Sequence, residues 1–280
     1  MIVRDGQGTI PLALTSLLTQ TYPNWECIVV NDASQDGTRA LLEKLNDPRF
    51  QVKHYRSPLG RGRARNEALE CCRGKYLATL DCDDFYFTDT LAQHVEALEA
   101  DPELAASVGP LLLFDHNEKL IGRLRRQPKP GCRHIPDLPY EIKLPFGSMV
   151  FRRSVLEGYR FNPQFNRSED RDLYSRVLPG KRVLVLDQPT YAYRWSLELN
   201  KVLAGLKENE QIYAVHLRRS PLRSILLIAA NRLKRFSYQI LGYLGLWNKA
   251  NRLRFLRPSS RERERFLTQL AELRAHSVPM

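Results

Sequence analysis

Short apolar runs alternate with helix-like segments through the first half of the chain, and this alternation limits the folds open to it. Residues 25–30, 50–55 and 76–80 are predicted strands, because they are short and either apolar throughout or alternating in polarity. Segments with start and stop signals of helices separate them, at 9–20, 36–45 and 60–74. Strands joined through helices by short connections favour an α/β fold with a doubly wound, mostly parallel sheet.

Aspartates follow two of these predicted strands. Asp32 comes after the strand at 25–30, and Asp81, Asp83 and Asp84 come after the strand at 76–80. In parallel sheets the ligand lies beyond the carboxyl ends of the strands, so one ligand can contact both groups. Burial of such acids without partners costs several kcal/mol each, roughly, and their natural partner is a hard divalent cation and, through it, a phosphate. A solvated turn that caps the next helix is the alternative explanation for the cluster taken alone.

Charge divides the chain into two unequal parts. Residues 201–280 contain 16 Lys and Arg against 5 Glu, whereas residues 1–200 contain 27 basic and 26 acidic residues. This difference predicts a near-neutral catalytic domain over 1–200, followed by a basic helical tail over 201–280. The five cysteines form no CxxC pair, which indicates reduced thiols and a cytoplasmic location. No window approaches the roughly 20 apolar residues of a membrane span.

Six short stretches, in their order and spacing, resemble the family-2 glycosyltransferases of GT-A fold. They are SLLTQTYPNW at 16–25, IVVNDASQDGT at 28–38, ARN at 64–66, DCDD at 81–84, GSMVFRR at 147–153 and SEDRDL at 168–173. The resemblance covers about residues 2–195. It implies a GT-A fold and the transfer of a sugar, with inversion, from a nucleotide-sugar donor such as a UDP-sugar. It also implies assistance by Mg²⁺ or Mn²⁺.

The resemblance assigns donor-binding roles to four residues. Asp32 would hydrogen-bond the base of the nucleotide, and Asp5 would lie near the base and ribose. Arg65 would belong to the loop that closes over the nucleotide, and Asp81 would face the ribose or the metal. Asp83 would ligate the metal that bridges the diphosphate.

The resemblance places catalysis at the Glu169-Asp170 pair. Asp170 matches the position of the catalytic base, and an adjacent acid such as Glu169 can raise its pKa toward the working pH. The chemistry supports these assignments independently. A departing nucleoside diphosphate develops charge that a cation stabilises, and an inverting displacement needs a carboxylate to take the proton of the acceptor hydroxyl.

The predicted first strand is unusually short. Only Met1-Ile2-Val3 precede Arg4-Asp5-Gly6, which is fewer residues than a central strand normally uses. This feature favours a non-catalytic alternative, in which a degenerate GT-A-like domain serves as a scaffold or as a membrane-docked partner. An upstream start of the protein would also explain it. The joint presence of Asp32, Asp83 and Asp170 favours an enzyme, since a scaffold need not keep them together.

Two basic regions suggest partners. The segment 122–146, with Arg126 among its basic residues, suits a phosphorylated or lipid-linked acceptor, and equally suits a solvated loop. Residues 205–257 combine apolar side chains at helical spacing with basic residues that include Arg218 and Arg219. Such a segment fits an anionic membrane surface at the inner face of the cell membrane. Docking on the catalytic domain or on a second copy fits equally well. Nucleic acid is disfavoured, because no stacking motif interleaves the charges. Together with these regions, the resemblance to glycosyltransferases implies an enzyme of surface glycan biosynthesis.

Overall fold

The computed structural model describes residues 1–125, 127–136, 144–196, 198–215, 217 and 220–276. Arg126 and residues 137–143 of the basic segment, and Arg218 and Arg219 of the predicted tail, lie outside the described residues. The helices are α1 Ile10–Leu18, α2 Thr38–Glu43, α3 Arg61–Cys71, α4 Thr90–Ala100, α5 Glu169–Val177, α6 Leu199–Val215, α7 Pro221–Tyr243, α8 Trp247–Arg252 and α9 Ser260–Ala275. The strands are β1 Ile2–Val3, β2 Cys27–Asp32, β3 Phe50–Tyr55, β4 Tyr76–Ala78, β5 Phe85–Tyr86, β6 Leu104–Val108, β7 Leu111–Phe114, β8 Leu120–Leu124, β9 Gly131–His134, β10 Met149–Arg152, β11 Arg182–Val185, β12 Tyr191–Arg194 and β13 Phe255–Leu256.

The predicted alternation of strands and helices is confirmed in the N-terminal part. β1, β2 and β3 form a parallel sheet in that order, with Ile2 paired to Val30 and Cys27 paired to Phe50. All six residues of β2 are buried, as expected for a parallel strand covered on both faces. The carboxyl ends of β1 and β2 therefore meet at one edge, where Asp5 and Asp32 follow.

Two further five-stranded sheets complete the α/β architecture. Their strand orders are β4-β10-β6-β11-β9 and β13-β8-β7-β12-β5. Parallel pairing occurs there only between β6 and β11 and between β7 and β12 among the described strands, and the other pairs are antiparallel. The parallel arrangement predicted from the first ninety residues thus holds for the first sheet, and the rest of the strand framework is mixed.

The short first strand lies beside a large apolar cavity. β1 extends over two residues only, and a cavity of about 670 Å³ lies between the N-terminal half of β2 and the strand β4. Ala68 and Leu69 of α3 line it, and so do Leu91 and Val95 of α4. Exposed Asn24 and Arg73 also line it, so the cavity opens to solvent.

The segment after residue 200 is helical and makes two kinds of contact. α9 packs into the core, where the Phe266 ring lies 5.7 Å from that of Phe85 and 5.9 Å from that of Phe114. α7 instead packs on α6 with Ser224 and Asn231 buried and Leu227 half-buried, and leaves seven large apolar side chains exposed. The division of the chain at residue 200 stays a prediction.

Candidate active site

The three aspartates after β4 have different surroundings. Asp84 is buried, with its Oδ2 accepting a hydrogen bond from the Tyr191 hydroxyl at 2.7 Å and its Oδ1 accepting one from the Arg194 backbone N–H at 2.6 Å. Burial, followed by the negative charges of Asp83 and Asp81, raises the pKa of Asp84 well above its usual range. Asp84 therefore anchors the acidic loop to β12, and its oxygens are occupied by protein.

Asp81 is held by two arginines. Its Oδ1 lies 3.1 Å from Arg65 Nη2, and its Oδ2 lies 3.8 Å from Arg61 Nη2. Burial by itself raises the pKa of Asp81, but the Arg65 and Arg61 guanidiniums outweigh it and hold this pKa below its usual range. Asp81 is thus a carboxylate at neutral pH.

Asp83 is the exposed member of the cluster. Its backbone carbonyl accepts a hydrogen bond from Arg194 Nε at 2.8 Å, while its side chain has no hydrogen-bonded or ion-paired partner in the described part of the chain. Although the side chain reaches solvent, desolvation by the surrounding loop, and then the negative charge of Asp81, raise the pKa of Asp83. An available carboxylate beside a second negative charge is a position that a cation would stabilise.

The Glu169-Asp170 pair forms the first turn of α5. Glu169 is almost fully buried, and its Oε1 lies 3.0 Å from Arg61 Nε and 3.1 Å from Arg65 Nε. Asp170 is partly exposed. Desolvation, followed by the charge of Glu169, raises the pKa of Asp170 to about 6, and the arginines limit the rise. The two acids therefore differ in availability, because Glu169 is neutralised by arginines while Asp170 can exchange a proton near neutral pH.

Arg65 joins the two acidic groups. Its guanidinium spans from Asp81 to Glu169 and lies 5.5 Å from the centre of the Phe146 ring and 5.6 Å from that of Phe161. Phe146 precedes β10, and Phe161 precedes α5. Residues far apart in sequence are thus brought within the reach of one buried side chain.

Asp32 and Asp5 are held by backbone groups of neighbouring loops. Asp32 is buried, and its carboxylate accepts hydrogen bonds from the backbone N–H groups of Leu59 and Gly60, the latter at 3.2 Å. Asp5 has a left-handed backbone with φ of 52°, and its Oδ1 accepts from Gln35 N–H at 2.7 Å. No hydrogen bond or ion pair within the described ranges joins either residue to the acids after β4 or at α5.

The acidic loop after β4 offers few side chains as ligands for a metal ion. Among the residues that the structure describes, no three His, Cys, Asp or Glu side chains are grouped to enclose a metal ion. The residues present still fit Mg²⁺ or Mn²⁺, because such ions often bind through one or two carboxylates and take their remaining ligands from phosphates and water. Asp83, with Asp81 next to it, offers this donor set.

Sequence reasoning missed several residues that organise the site. Arg61, on the predicted helix at 60–74, contacts both Glu169 and Asp81. Its spacing of four from Arg65 on a predicted helix is a signal that could have found it. Arg194 holds the acidic loop through its backbone and side chain, and Tyr191 does so through its hydroxyl, with no local motif to mark either.

Comparison with known proteins shows the family of this chain. Residues 1–160 match the family model described as Glycosyl transferase family 2, and the chain belongs to that family. The chain is 37% identical over 207 residues to the succinoglycan biosynthesis protein ExoO of Rhizobium meliloti (strain 1021), a match that covers 68% of this chain and 58% of ExoO. Its membership in a family of glycosyltransferases with relatives in polysaccharide biosynthesis confirms that part of the sequence prediction.

Two further proteins are similar over part or all of the chain. The Escherichia coli UDP-Glc:alpha-D-GlcNAc-diphosphoundecaprenol beta-1,3-glucosyltransferase WfgD is 33% identical over 94 residues, which is 34% of this chain and 37% of WfgD. The crystal structure of S. aureus TarS 1-349 in complex with UDP-GlcNAc superposes with a TM-score of 0.64 at 17% identity, over 99% of this chain and 80% of that one. The predicted GT-A fold is thereby confirmed. The chain spans less than two thirds of the lengths of ExoO and WfgD.

Proposed function

We propose that this chain transfers a sugar from a nucleotide-sugar donor, foremost a UDP-sugar, to a hydroxyl of a glycan or lipid-linked acceptor, with inversion at the anomeric carbon. The reaction would serve the synthesis of a surface polysaccharide. One observation carries the proposal: Arg65 lies 3.1 Å from both Asp81 and Glu169, so one side chain joins the acidic loop proposed for the donor to the acid pair proposed for the base.

The donor would lie along the carboxyl ends of β1, β2 and β4. Asp5, Asp32, Arg65 and Asp81 are the proposed nucleotide-sugar-binding residues. The three aspartates lie at or just after strand ends, where open α/β sheets bind ligands, and Arg65 of α3 contacts Asp81. The complexes of TarS with UDP-GlcNAc and the donor named for WfgD support a UDP-sugar. Asp32 would keep its bonds to the loop before α3 and so shape the side of the nucleotide pocket.

A divalent cation, Mg²⁺ or Mn²⁺, would be held by Asp83, with Asp81 as a second ligand. When bound, it would neutralise the charge that develops on the diphosphate leaving group. Asp83 is the better candidate, because its carboxylate is exposed and has no partner in the described part of the chain, whereas Asp81 is paired with Arg65. Arg61, which is 45% exposed, would contact the diphosphate from its position between Asp81 and Glu169.

Asp170 would act as the base that takes the proton of the acceptor hydroxyl. A pKa of about 6 gives it a carboxylate at neutral pH that is more basic than an ordinary aspartate, as general-base catalysis requires. Glu169 would contribute by raising that pKa through its charge and by holding Arg61 and Arg65. Its burial and its two arginine partners favour this supporting role.

Two substitutions test the assignment. Asp83→Ala should abolish the Mn²⁺ dependence of UDP binding in calorimetry. Asp170→Asn should leave UDP affinity within about twofold and lower kcat for transfer by about 10²–10⁴-fold, the usual contribution of a general base. The exposed Glu96 on α4 provides a matched control, since Glu96→Gln should change neither quantity. Unchanged metal dependence in the first variant would contradict the role of Asp83.

The acceptor assay uses defined probes. A panel of UDP-sugars is tested with GlcNAc-α-diphosphate on a long alkyl chain, because WfgD is named for an acceptor of that chemistry. The exposed basic strand β9, with Arg133, is the proposed contact for acceptor phosphates. If the wild-type chain binds UDP with Mn²⁺ yet transfers nothing to any acceptor tested, the degenerate scaffold becomes the better explanation.

Residues 211–260, which include α7 and are called the α7 region, would attach the enzyme to an anionic membrane at the cytoplasmic face. Eleven of the twelve exposed large apolar side chains among the described residues lie between Val215 and Leu253. On α7 they occupy one helix side, while Ser224 and Asn231 face α6, which inverts the usual burial of an amphipathic helix. Residues 211–260 also contain ten Lys and Arg and no Asp or Glu.

This combination of charge and exposure supports a lipid surface over the other occupants. Large exposed apolar patches mark interaction sites, and a surrounding excess of basic residues is complementary to anionic lipids at about 1 kcal/mol for each Lys or Arg near the surface. No helix within the described ranges is long and apolar enough to cross a membrane. The proposed attachment is therefore interfacial, with α7 lying along the headgroup region.

Vesicle cosedimentation tests the attachment. The double variant Leu226→Glu, Phe236→Glu should lose at least tenfold in binding to phosphatidylglycerol vesicles, and high salt should weaken wild-type binding. Leu267→Glu is the matched control, because Leu267 is an exposed apolar residue on α9, away from this region. Equal binding of wild type and double variant would refute the lipid surface. Concentration-dependent dimerisation lost in the double variant would point to a second copy instead.

A further inference from the structure

Glu208 on α6 contacts the backbone directly before the acid pair. Its carboxylate accepts hydrogen bonds from three consecutive N–H groups, those of Asn166 at 3.3 Å, Arg167 at 2.9 Å and Ser168 at 3.0 Å. These residues lead into α5, whose first turn contains Glu169 and Asp170. A side chain from the C-terminal part of the chain therefore fixes the approach to the proposed base.

The start of α5 has no side-chain cap of its own. Ser168 occupies the N-cap position, but its side chain makes no capping hydrogen bond and its hydroxyl donates to the Gly205 carbonyl of α6 at 3.3 Å. The first N–H groups of a helix and of the turn before it need acceptors, which a cap normally supplies. Here α6 holds the segment directly before the helix instead, through Glu208 and the Gly205 carbonyl, so the position of Asp170 depends on that of α6.

α6 is fixed in turn by α7. Arg235 Nη1 lies 2.7 Å from Glu210 Oε1, and Arg232 Nε lies 3.1 Å from Glu210 Oε2. The Asn231 amide also donates to the Leu206 carbonyl. Contacts therefore run without a break from the exposed helix α7 through α6 to the residues that precede the acid pair.

We propose that Glu208 is a positioning residue for Asp170, through which the α6–α7 hairpin sets the geometry of the base. This inference rests on the proposed function, because it requires Asp170 to act in transfer. Glu208 does not touch donor or acceptor in this scheme. It holds residues 166–168, and these hold the first turn of α5 at the distance that the acceptor hydroxyl needs.

The test compares substitutions of two glutamates of α6, Glu208 and Glu210. Glu208→Ala should lower kcat for transfer by about 10- to 100-fold, the scale expected for a displacement near 1 Å of a reacting group. The donor KM and the UDP affinity should stay within about twofold, because the donor end of the site is untouched. Glu208→Gln keeps an acceptor oxygen and should recover most of kcat. Glu210→Ala removes ion pairs on the same helix without touching 166–168, and should stay within about threefold of wild type, because the Asn231 amide and the helix packing still hold α6 on α7.

Hydrogen exchange adds a readout that does not need catalysis. Amides of residues 166–168 should exchange at least tenfold faster in Glu208→Ala than in wild type and Glu210→Ala. A wild-type kcat in Glu208→Ala would overturn the inference, and so would equal losses of kcat and UDP affinity, or an equal loss in Glu210→Ala. If wild type itself transfers no sugar, the proposed function fails, and the role of Glu208 in positioning a base fails with it.

Discussion

Replacing Arg65 by methionine removes the cation that joins the two acidic halves of the site. Methionine keeps an unbranched apolar stem against Phe146 and Phe161 but makes no hydrogen bond to Glu169 or Asp81. The Arg65 side chain is 8% exposed and that of Glu169 is 2% exposed, so the lost contacts are buried ones. We expect a clear loss of stability, and not only a loss of activity.

The structure sets the size of the effect. Breaking a buried ion pair by removing one partner costs about 3–5 kcal/mol. Arg61 Nε remains 3.0 Å from Glu169, so a value near the low end, about 3 kcal/mol, is expected. At about 2–4 °C per kcal/mol for a large domain, the melting temperature should fall by roughly 6–12 °C.

Thermal and guanidinium unfolding followed by circular dichroism would measure this loss, with Arg61→Met as the matched control. Arg61 is 45% exposed, so solvent screens its ion pairs more and its loss should cost less than that of the buried Arg65. The penalty should also depend on pH. The arginines lower the pKa of Asp81, so its stabilising contribution is present above the usual aspartate pKa and is lost as the pH falls through the lowered value. A loss in Arg65→Met no larger than that in Arg61→Met, or one independent of pH, would refute the reasoning.

Three further predictions concern other parts of the molecule. The acid limb of kcat against pH should have its midpoint near the Asp170 pKa of about 6. Glu169→Gln should move this midpoint to lower pH, because it removes the neighbouring charge. A wild-type midpoint near pH 4 would contradict the prediction. Asp84→Ala should cost about 2 kcal/mol or more in chemical denaturation, because the Tyr191 hydroxyl and Arg194 N–H lose their buried acceptor. Ala68→Leu should stabilise the fold by about 0.5–2 kcal/mol by filling the cavity beside β4, and a lower melting temperature would show that the cavity is not available to that side chain.

Local sequence patterns predicted most elements that depend on nearby residues. The strand at 50–55 and the helix start near Gly60 are found as β3 and α3, because a hydrophobic period and a turn residue act within a few positions. The α/β class and the acids at strand ends could be predicted for the same reason. The antiparallel pairing of β10 with β4 and β6 could not, since strand partners far apart in sequence are chosen by packing.

The residues of the candidate site fall into the same two groups, those that local motifs predict and those that depend on contacts distant in sequence. Asp32, Asp81, Asp83 and Asp170 could be selected from their positions after strands and within motifs. The sequence alone could not distinguish a buried anchor from an available ligand among neighbouring aspartates, because that difference depends on Tyr191 and Arg194, which are distant in sequence.

The amino-acid sequence by itself determined the alternation of strands and helices in the first ninety residues, the acidic strand ends and the basic, apolar C-terminal segment, because each is a property of contiguous residues. Only the tertiary structure decided that Arg61 and Arg65 connect Asp81 with Glu169, and that α7 turns its apolar side outward. It also brought Glu208 to the start of α5. The hydrogen bonds among these contacts join residues from 16 to 104 positions apart, and chain folding, not local propensity, fixes which of them meet.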